Sequence, residues 1–298
     1  MEQKDIIIIG AGPAGLSAAI YTARGGASTL VLGCNPKVAG EYVIDNYFGF
    51  PKPITGKELI QRGIEQAKKF GAEIKCEKVL SIHFSNQNTF LVKTETNQYE
   101  SKAIILATGV TRVRPGIDNL KDYEGKGVSY CVSCDGFFYK NKKVAVLGEG
   151  VFAANQALEL TEYTKQITIF TQGKKPSFSQ EFAKKLESFK IPVRKDKIIS
   201  LKGNKGLEQI VLENGDIEPL DGLFIAMGEA SSLDFAYTLG LTRKGVFIEA
   251  DFEQKTNIPG VFAAGDCVGR FLQISVAVGE GAIAGKSALN YIKTLTKS

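Results

Sequence analysis

The chain has 298 residues, 44% hydrophobic and 23% charged, with 32 glycines, 9 prolines and a net charge of +5. Glycine is thus about 11% of the chain against a usual ~7%, with no Gly-X-Y period, which excludes collagen and low-complexity sequence. The charge is too mild for a nucleic-acid binder, and five widely spaced cysteines do not make a disulfide scaffold. They fit a reducing cytoplasm with one or two functional thiols.

In chain order, Met1-Glu2-Gln3-Lys4-Asp5 is not the basic start of a secretion signal. Residues 5–9 (DIIII) predict a strand, and the glycine cluster after them opens a helix through Ala23. Gly10, Gly12, Pro13 and Gly15 interrupt the apolar run, so it is no membrane span. Residues 29–32 predict the second strand, and 57–70 an amphipathic helix. Strand-like runs follow at 79–84, 89–94 and 103–108. The strand, glycine turn and helix then recur from Val144 to about Leu160, with Gly148 standing 138 positions after Gly10. Residues 167–170 predict a strand, 179–190 a helix, 261–264 a strand and 275–292 a small-residue helix. The fold class expected is α/β, with two Rossmann-like dinucleotide-binding domains, the second inserted in the first. Residues 1–112 with 241–298 would form the outer domain, and 113–240 the inserted one. Residues 113–240 are charge-neutral as a whole. Within them 165–205 is strongly basic and 206–240 carries acids only, and each run reads first as a solvated face.

Gly10-Ala11-Gly12-Pro13-Ala14-Gly15 is a G-x-G-x-x-G between a strand and a helix. There the first glycine turns, the second admits a pyrophosphate, and the third lets helix pack on strand. The acid expected at the end of the second strand is missing, since Gly33-Cys34-Asn35 stands there. Near the C-terminus, Gly265-Asp266 follows an apolar strand, where a carboxylate suits a cofactor sugar hydroxyl. The helix opening near Gln273 and Ile274 could face a flavin carbonyl. Cys131-Val132-Ser133-Cys134 is a CxxC followed by Asp135. No second CxxC and only one histidine, His83, accompany it, so it reads as a reversible disulfide rather than a metal site. Asp135 could move a proton during exchange. Cys34, Cys76 and Cys267 default to buried structural thiols, and His83 to a structural role. Gly148-Glu149-Gly150 keeps the second fingerprint by letter, but Glu149 puts a negative charge where a pyrophosphate would lie. Thr171-Gln172-Gly173-Lys174-Lys175 offers lysines, not arginines, to a 2′-phosphate.

Taken together, these motifs resemble the low-molecular-weight flavoprotein thioredoxin reductases over nearly the whole chain. The resemblance rests on GAGPAG at 10–15, Asn46, Ala107-Thr108-Gly109, CVSCDGFFY at 131–139 and VFAAGD at 261–266. It implies FAD on the outer segments, held near Gly10, Gly12, Pro13, Ala14, Gly15, Asn46, Thr108, Gly109, Gly265 and Asp266. Gly40 and Glu41 fall where the family has Gly-Gln, and Gln273-Ile274 where it has Gln-Ala. It implies that Cys134 faces the flavin, that Cys131 attacks thioredoxin, and that Asp135 donates the proton. It also implies a cytoplasmic homodimer. The family's Gly-Gly-Gly fingerprint, arginine cluster and Gly-His-x-Pro-Asn run are replaced by Gly-Glu-Gly, Gln-Gly-Lys-Lys and Gly228-Glu229-Ala230-Ser231-Ser232. That pattern is most similar to the ferredoxin-dependent flavin thioredoxin reductases.

The expectation is therefore an enzyme that takes electrons from reduced ferredoxin, through FAD and the Cys131–Cys134 pair, to thioredoxin. The alternatives are a conventional NADPH-dependent reductase using Lys174 and Lys175, and a flavin-binding redox sensor without turnover. A ferredoxin–NADP reductase on this fold is a further option, but it would not need the cysteine pair. The expected partners are thioredoxin and ferredoxin, with no nucleic acid, membrane or metal.

Overall fold

The computed structural model describes residues 1–41, 43–85, 89–110 and 115–295. Two compact units emerge, Met1–Thr111 with Ser231–Ser298, and Arg112–Ala230. The expected boundary between 112 and 113 lies outside the described residues. The second boundary differs from the sequence reading, since the chain rejoins the outer unit at Ser231, ten positions before 241. The cause is a helix, Ser232–Leu239, which buries Leu233, Phe235 and Ala236 and packs against the strand Val79–Phe84. Asp234 caps that helix, accepting from the Ser231 amide at 2.7 Å and its hydroxyl at 2.6 Å.

In the outer unit β1 is Glu2–Ile9, α1 is Pro13–Arg24 and β2 is Thr29–Leu32. The four isoleucines Ile6 to Ile9 are buried on both faces, the pattern of a central parallel strand. Each contributes roughly 1.5–3 kcal/mol over an exposed side chain. Strand order is Glu73–Lys75, β2, β1, Gln98–Leu106, Phe90–Thr94, Val79–Phe84, and Val261–Ala263 also pairs with Gln98–Leu106. The strands from Glu73–Lys75 to Gln98–Leu106 run parallel, whereas Phe90–Thr94 and Val79–Phe84 are antiparallel. The strand carrying Thr108 just past its end is therefore paired to β1 on one side and to Val261–Ala263 on the other. That brings the two cofactor motifs of the outer unit to one edge of the sheet.

The helix α2 is Gly56–Lys69, and it opens where Thr55 accepts from the Glu58 amide at 3.1 Å. The long C-terminal helix Ile274–Leu295 packs on α1 at close range because glycine faces backbone there. A Cβ at Gly281 would lie 2.1 Å from the Ala14 carbonyl oxygen. Ser17 Oγ adds a bond to the Val278 carbonyl at 2.7 Å. Some of the glycines, Gly281 among them, thus serve close helix packing rather than nucleotide loops.

The inserted unit has an all-parallel sheet in the order Val193–Arg194, Gln166–Phe170, Lys143–Leu147, Gly222–Ile225, Val128–Ser129. Helices Val151–Leu160 and Gln180–Ser188 belong to it. An antiparallel sheet of Ile198–Lys202, Gln209–Leu212 and Ile217–Pro219 was not anticipated. It brings the basic and acidic runs together, with Arg194 paired to Glu218 at 2.8 Å and Lys197 to Glu213 at 2.9 Å. Those runs are partly a matched pair, not only two solvated faces. The fold is the expected α/β class with two Rossmann-like units. Most expected elements appear with ends moved by a few residues, and the expected 103–108 strand starts earlier, at Gln98.

Candidate active and cofactor sites

Cys131 and Cys134 are joined as a disulfide, with Cα atoms 5.3 Å apart. Cys131 precedes a single helical turn, Val132–Asp135. The turn aims the Cys134 amide at Cys131 Sγ, 3.2 Å away. A donor so placed favours a thiolate on Cys131 once the bond opens. Ser129 Oγ donates to Asp135 Oδ2 at 2.6 Å and accepts from the Cys131 amide at 3.1 Å. One hydroxyl thus ties the acid to the backbone of the pair. Cys131 is 5% exposed, while Cys134 is open to solvent. Gly136 is forced by Tyr163, whose ring lies 2.6 Å from where a Cβ would be. Phe137 and Phe138 follow, 71% and 67% exposed, with rings edge to face at 6.2 Å. Two bare aromatic rings beside a disulfide form an apolar contact surface.

The first glycine loop has the shape FAD requires. Gly10 has φ +115°, and a Cβ there would lie 2.3 Å from the Ala107 carbonyl oxygen. A Cβ on Gly15 would lie 1.9 Å from the Gly10 carbonyl oxygen. At Gly12, by contrast, the nearest atom is Pro36 Cβ at 3.8 Å, so the backbone presents an open face. Gly12 caps α1 without a side-chain partner, and Pro13 occupies the first turn beside Ala14. The helix end therefore keeps amide donors for an anion. Thr108 Oγ1 is buried and has no partner, next to Gly109 with φ +67°. A buried hydroxyl without a partner is costly unless a ligand satisfies it. At the neighbouring strand end, the Gly265 amide donates to Glu280 Oε2 at 2.7 Å, and Arg270 braces Glu280 at 3.2 Å. Glu280 was not expected from sequence. Its only signal there is an acid in an otherwise small-residue helix. It orients the turn that carries Asp266.

Asn46 Nδ2 donates to Gln273 Oε1 at 3.3 Å, so two expected flavin-side residues meet across 227 positions. Ile274 begins the C-terminal helix. The Gly40 carbonyl accepts from the Lys57 amide at 3.0 Å, and Glu41 pairs with Lys57 Nζ at 3.1 Å on the surface.

The second glycine loop kept its shape and closed on itself. A Cβ at Gly148 would lie 2.1 Å from the Ala226 carbonyl oxygen. Glu149, whose side chain is 16% exposed, forms an ion pair with Lys174. Its other carboxylate oxygen is buried without a partner. Ser177 donates from its amide to the Glu149 carbonyl at 2.8 Å, and Gly150 bridges to Ser177. The segment after the neighbouring strand thus lies on the loop. Of the two lysines considered for a 2′-phosphate, Lys174 and Lys175, the first is paired with the loop's own acid.

Two cysteine expectations need correction. Cys34 and Cys76 are not buried free thiols but a second disulfide, with Cα atoms 4.6 Å apart and Cys76 exposed. Parallel pairing of β2 with Glu73–Lys75 sets their ends side by side, and 42 positions of separation hid this in the sequence. Cys267 does fit, being fully buried with its thiol pushed up to about 12 by burial. His83 lies in the strand Val79–Phe84, its pKa lowered by burial and then by Lys93. Among the described residues, no group of His, Cys, Asp or Glu is arranged to hold a metal ion, and no helix is long and apolar enough to cross a membrane.

Comparison with known proteins agrees with this layout. The pyridine nucleotide-disulphide oxidoreductase profile matches residues 4–281. A thioredoxin reductase of Bacillus subtilis is 33% identical over 319 residues, covering 100% of this chain and 98% of that protein. The crystal structure of an atypical thioredoxin reductase, TRi, from Desulfovibrio vulgaris Hildenborough is similar at a TM-score of 0.97 and 61% identity, covering 98% of each chain. A ferredoxin-flavin thioredoxin reductase from Clostridium acetobutylicum is more distant, at a TM-score of 0.73 and 30% identity over 100% of both chains. Members of this family are FAD flavoproteins, and the open, anion-ready first loop fits that cofactor. The chain belongs to the pyridine nucleotide-disulphide oxidoreductase family and, within it, to the thioredoxin reductases.

Proposed function

We propose that this protein reduces thioredoxin with electrons from reduced ferredoxin, not from NADPH. The observation that carries the donor assignment is the Glu149–Lys174 pair inside the second glycine loop. A pyrophosphate there would meet a carboxylate in a largely buried setting, and its approach would have to break the ion pair and displace Ser177. The similarity to a ferredoxin-flavin thioredoxin reductase supports the same reading. The net reaction consumes two reduced ferredoxins, two protons and one thioredoxin disulfide. It yields two oxidised ferredoxins and one thioredoxin dithiol.

Gly10, Gly12, Pro13, Ala14, Gly15, Thr108, Gly109, Gly265 and Asp266 hold the cofactor in this reading, with Gly40, Glu41, Asn46, Gln273 and Ile274 nearer its reactive ring. FAD held there would supply the chemistry that turns single electrons into a pair for the disulfide. Cys134 receives that pair, and the Cys134 amide then stabilises the Cys131 thiolate. Cys131 attacks the thioredoxin disulfide, forming a mixed disulfide that Cys134 resolves. Asp135, held by Ser129, moves the proton. Cys131 is buried, so exchange at its sulfur requires a rearrangement that uncovers it. The resemblance adds a cytoplasmic homodimer to this reading.

Calorimetry with NADPH tests the donor assignment. No saturable binding is expected below ~1 mM, a range worth only about 4 kcal/mol. A micromolar dissociation constant that Lys174→Ala weakens would contradict it. A second measurement addresses the thioredoxin face. Replacing Phe137 and Phe138 together with alanine should raise KM for thioredoxin about tenfold, the scale of an aromatic contact residue. Flavin reduction by ferredoxin should be unchanged in that variant. An unaltered KM would remove these rings from the docking surface.

A further inference from the structure

Thioredoxin reduction by the Cys131–Cys134 pair leaves the second disulfide without a role. Cys34 lies just past the end of β2, and Cys76 just past the adjacent strand Glu73–Lys75. The last ladder bond there runs from the Gly33 amide to the Lys75 carbonyl at 3.2 Å. The bridge then staples the loop of residues 33–41 to that strand end.

This loop lies against the first glycine loop. A Cβ on Gly33 would lie 2.8 Å from the Ala11 amide nitrogen, and Pro36 is the nearest neighbour of the open face at Gly12. Lys37 Nζ donates to the Val110 carbonyl at 2.9 Å, beside Gly109. The Gly40 carbonyl anchors the far end to the Lys57 amide. In dinucleotide folds the end of the second strand is where the ribose is held, usually by an acid. Here a disulfide occupies that place. One of its sulfurs belongs to an exposed residue, so a thiolate in solution can reach it.

We propose that Cys34–Cys76 is a second thiol–disulfide exchange site, that its partner is a dithiol protein of the thioredoxin class, and that its state sets how firmly the 33–41 loop holds the adenosine end of FAD. The choice of partner rests on the function proposed above, since that reaction produces such a dithiol. A thiolate of the dithiol attacks Cys76 Sγ. The Cys34–Cys76 bond breaks, a mixed disulfide forms at Cys76, and Cys34 leaves as thiolate. The second thiol of the partner then attacks the mixed disulfide and releases Cys76. Two electrons pass to the pair, the partner ends as a disulfide, and its two protons end on Cys34 and Cys76. The reductase's own product thereby loosens its cofactor site.

The test uses FAD-loaded Cys131→Ser/Cys134→Ser protein, trapped with N-ethylmaleimide, unfolded and mapped by mass spectrometry. Untreated protein should label at Cys267 alone. After exposure to a reduced thioredoxin, Cys34 and Cys76 should label together, and the FAD dissociation constant should rise by about tenfold, as when a preorganised loop is freed. Cys34→Ser and the more exposed Cys76→Ser should each show that weaker affinity without any reductant. Labelling of Cys34 and Cys76 before treatment would overturn the proposal. So would a bridge that opens to dithiothreitol but not to thioredoxin, or an unchanged FAD affinity in both serine variants. Wild-type protein separates the two readings. Thioredoxin that exchanges with Cys131–Cys134 but not with Cys34–Cys76 sinks this inference alone, and exchange with neither pair sinks both.

Discussion

Cys131→Ser is expected to lower thioredoxin reduction on the order of a thousandfold or more, the scale of losing an essential nucleophile. The reason is local. Cys131 has a backbone donor aimed at its sulfur, from the Cys134 amide at 3.2 Å. Serine in that place keeps the hydrogen bond but cannot form a disulfide with the partner. Ferredoxin-dependent bleaching of the flavin should persist, because electron entry needs neither cysteine. A steady-state assay with thioredoxin, paired with anaerobic flavin absorbance, reads both halves. Turnover at the wild-type rate would remove Cys131 from its role. Loss of flavin reduction as well would mean that the substitution acts on the cofactor instead.

The second large effect is at the first glycine loop, where two neighbouring glycines should respond differently. Gly15→Ala places a methyl 1.9 Å from the Gly10 carbonyl oxygen and 3.3 Å from Ile8 Cγ2. Neither backbone nor the buried isoleucine can retreat without disturbing β1. The expected cost is about 3 kcal/mol or more, at the upper end for overpacking. Melting should fall by roughly 5–10 °C, and the protein should be isolated without flavin. Gly12→Ala adds the same methyl into open space, with Pro36 Cβ 3.8 Å away. It should leave the melting temperature of the apoprotein within about 1 °C, a surface-scale change. FAD affinity should nonetheless drop, because the methyl occupies the face the pyrophosphate approaches. Equal destabilisation by both variants would show that the open face at Gly12 has another use.

Local signals carried most of the fold. Ile6 to Ile9 announce a strand buried on both sides, and the two Gly-x-Gly turns announce two Rossmann-like units. Thr55 and Ser179 begin helices as their residue types suggest. What escaped the sequence depends on pairing between distant segments. The return to the outer unit at Ser231 is decided by packing of the helix Ser232–Leu239 on a strand some 150 positions earlier. The antiparallel sheet from Ile198 to Pro219 is made of short strands inside charged sequence, where pattern is weakest. Cys34 and Cys76 meet only because β2 and Glu73–Lys75 are neighbours in the sheet.

The candidate site divides in the same way. The CxxC-Asp run and the first glycine loop are contiguous, so their chemistry is readable residue by residue. The meeting of Asn46 with Gln273, and the brace from Glu280 to Gly265, are products of topology. Glu149 was conspicuous in sequence as a misplaced charge. Its pairing with Lys174 converts that misfit into a closed loop, and it turns the apparent phosphate ligand into an internal counter-ion.

The donor assignment is tested most directly by a paired anaerobic titration of the FAD-loaded enzyme in the presence of thioredoxin. Reduced ferredoxin should bleach the flavin fully and yield thioredoxin thiols, one dithiol for every two ferredoxins oxidised. NADPH at up to millimolar concentration should leave the flavin spectrum unchanged. Full bleaching by micromolar NADPH, with thioredoxin reduced at a comparable rate, would contradict the account and return the second glycine loop to service.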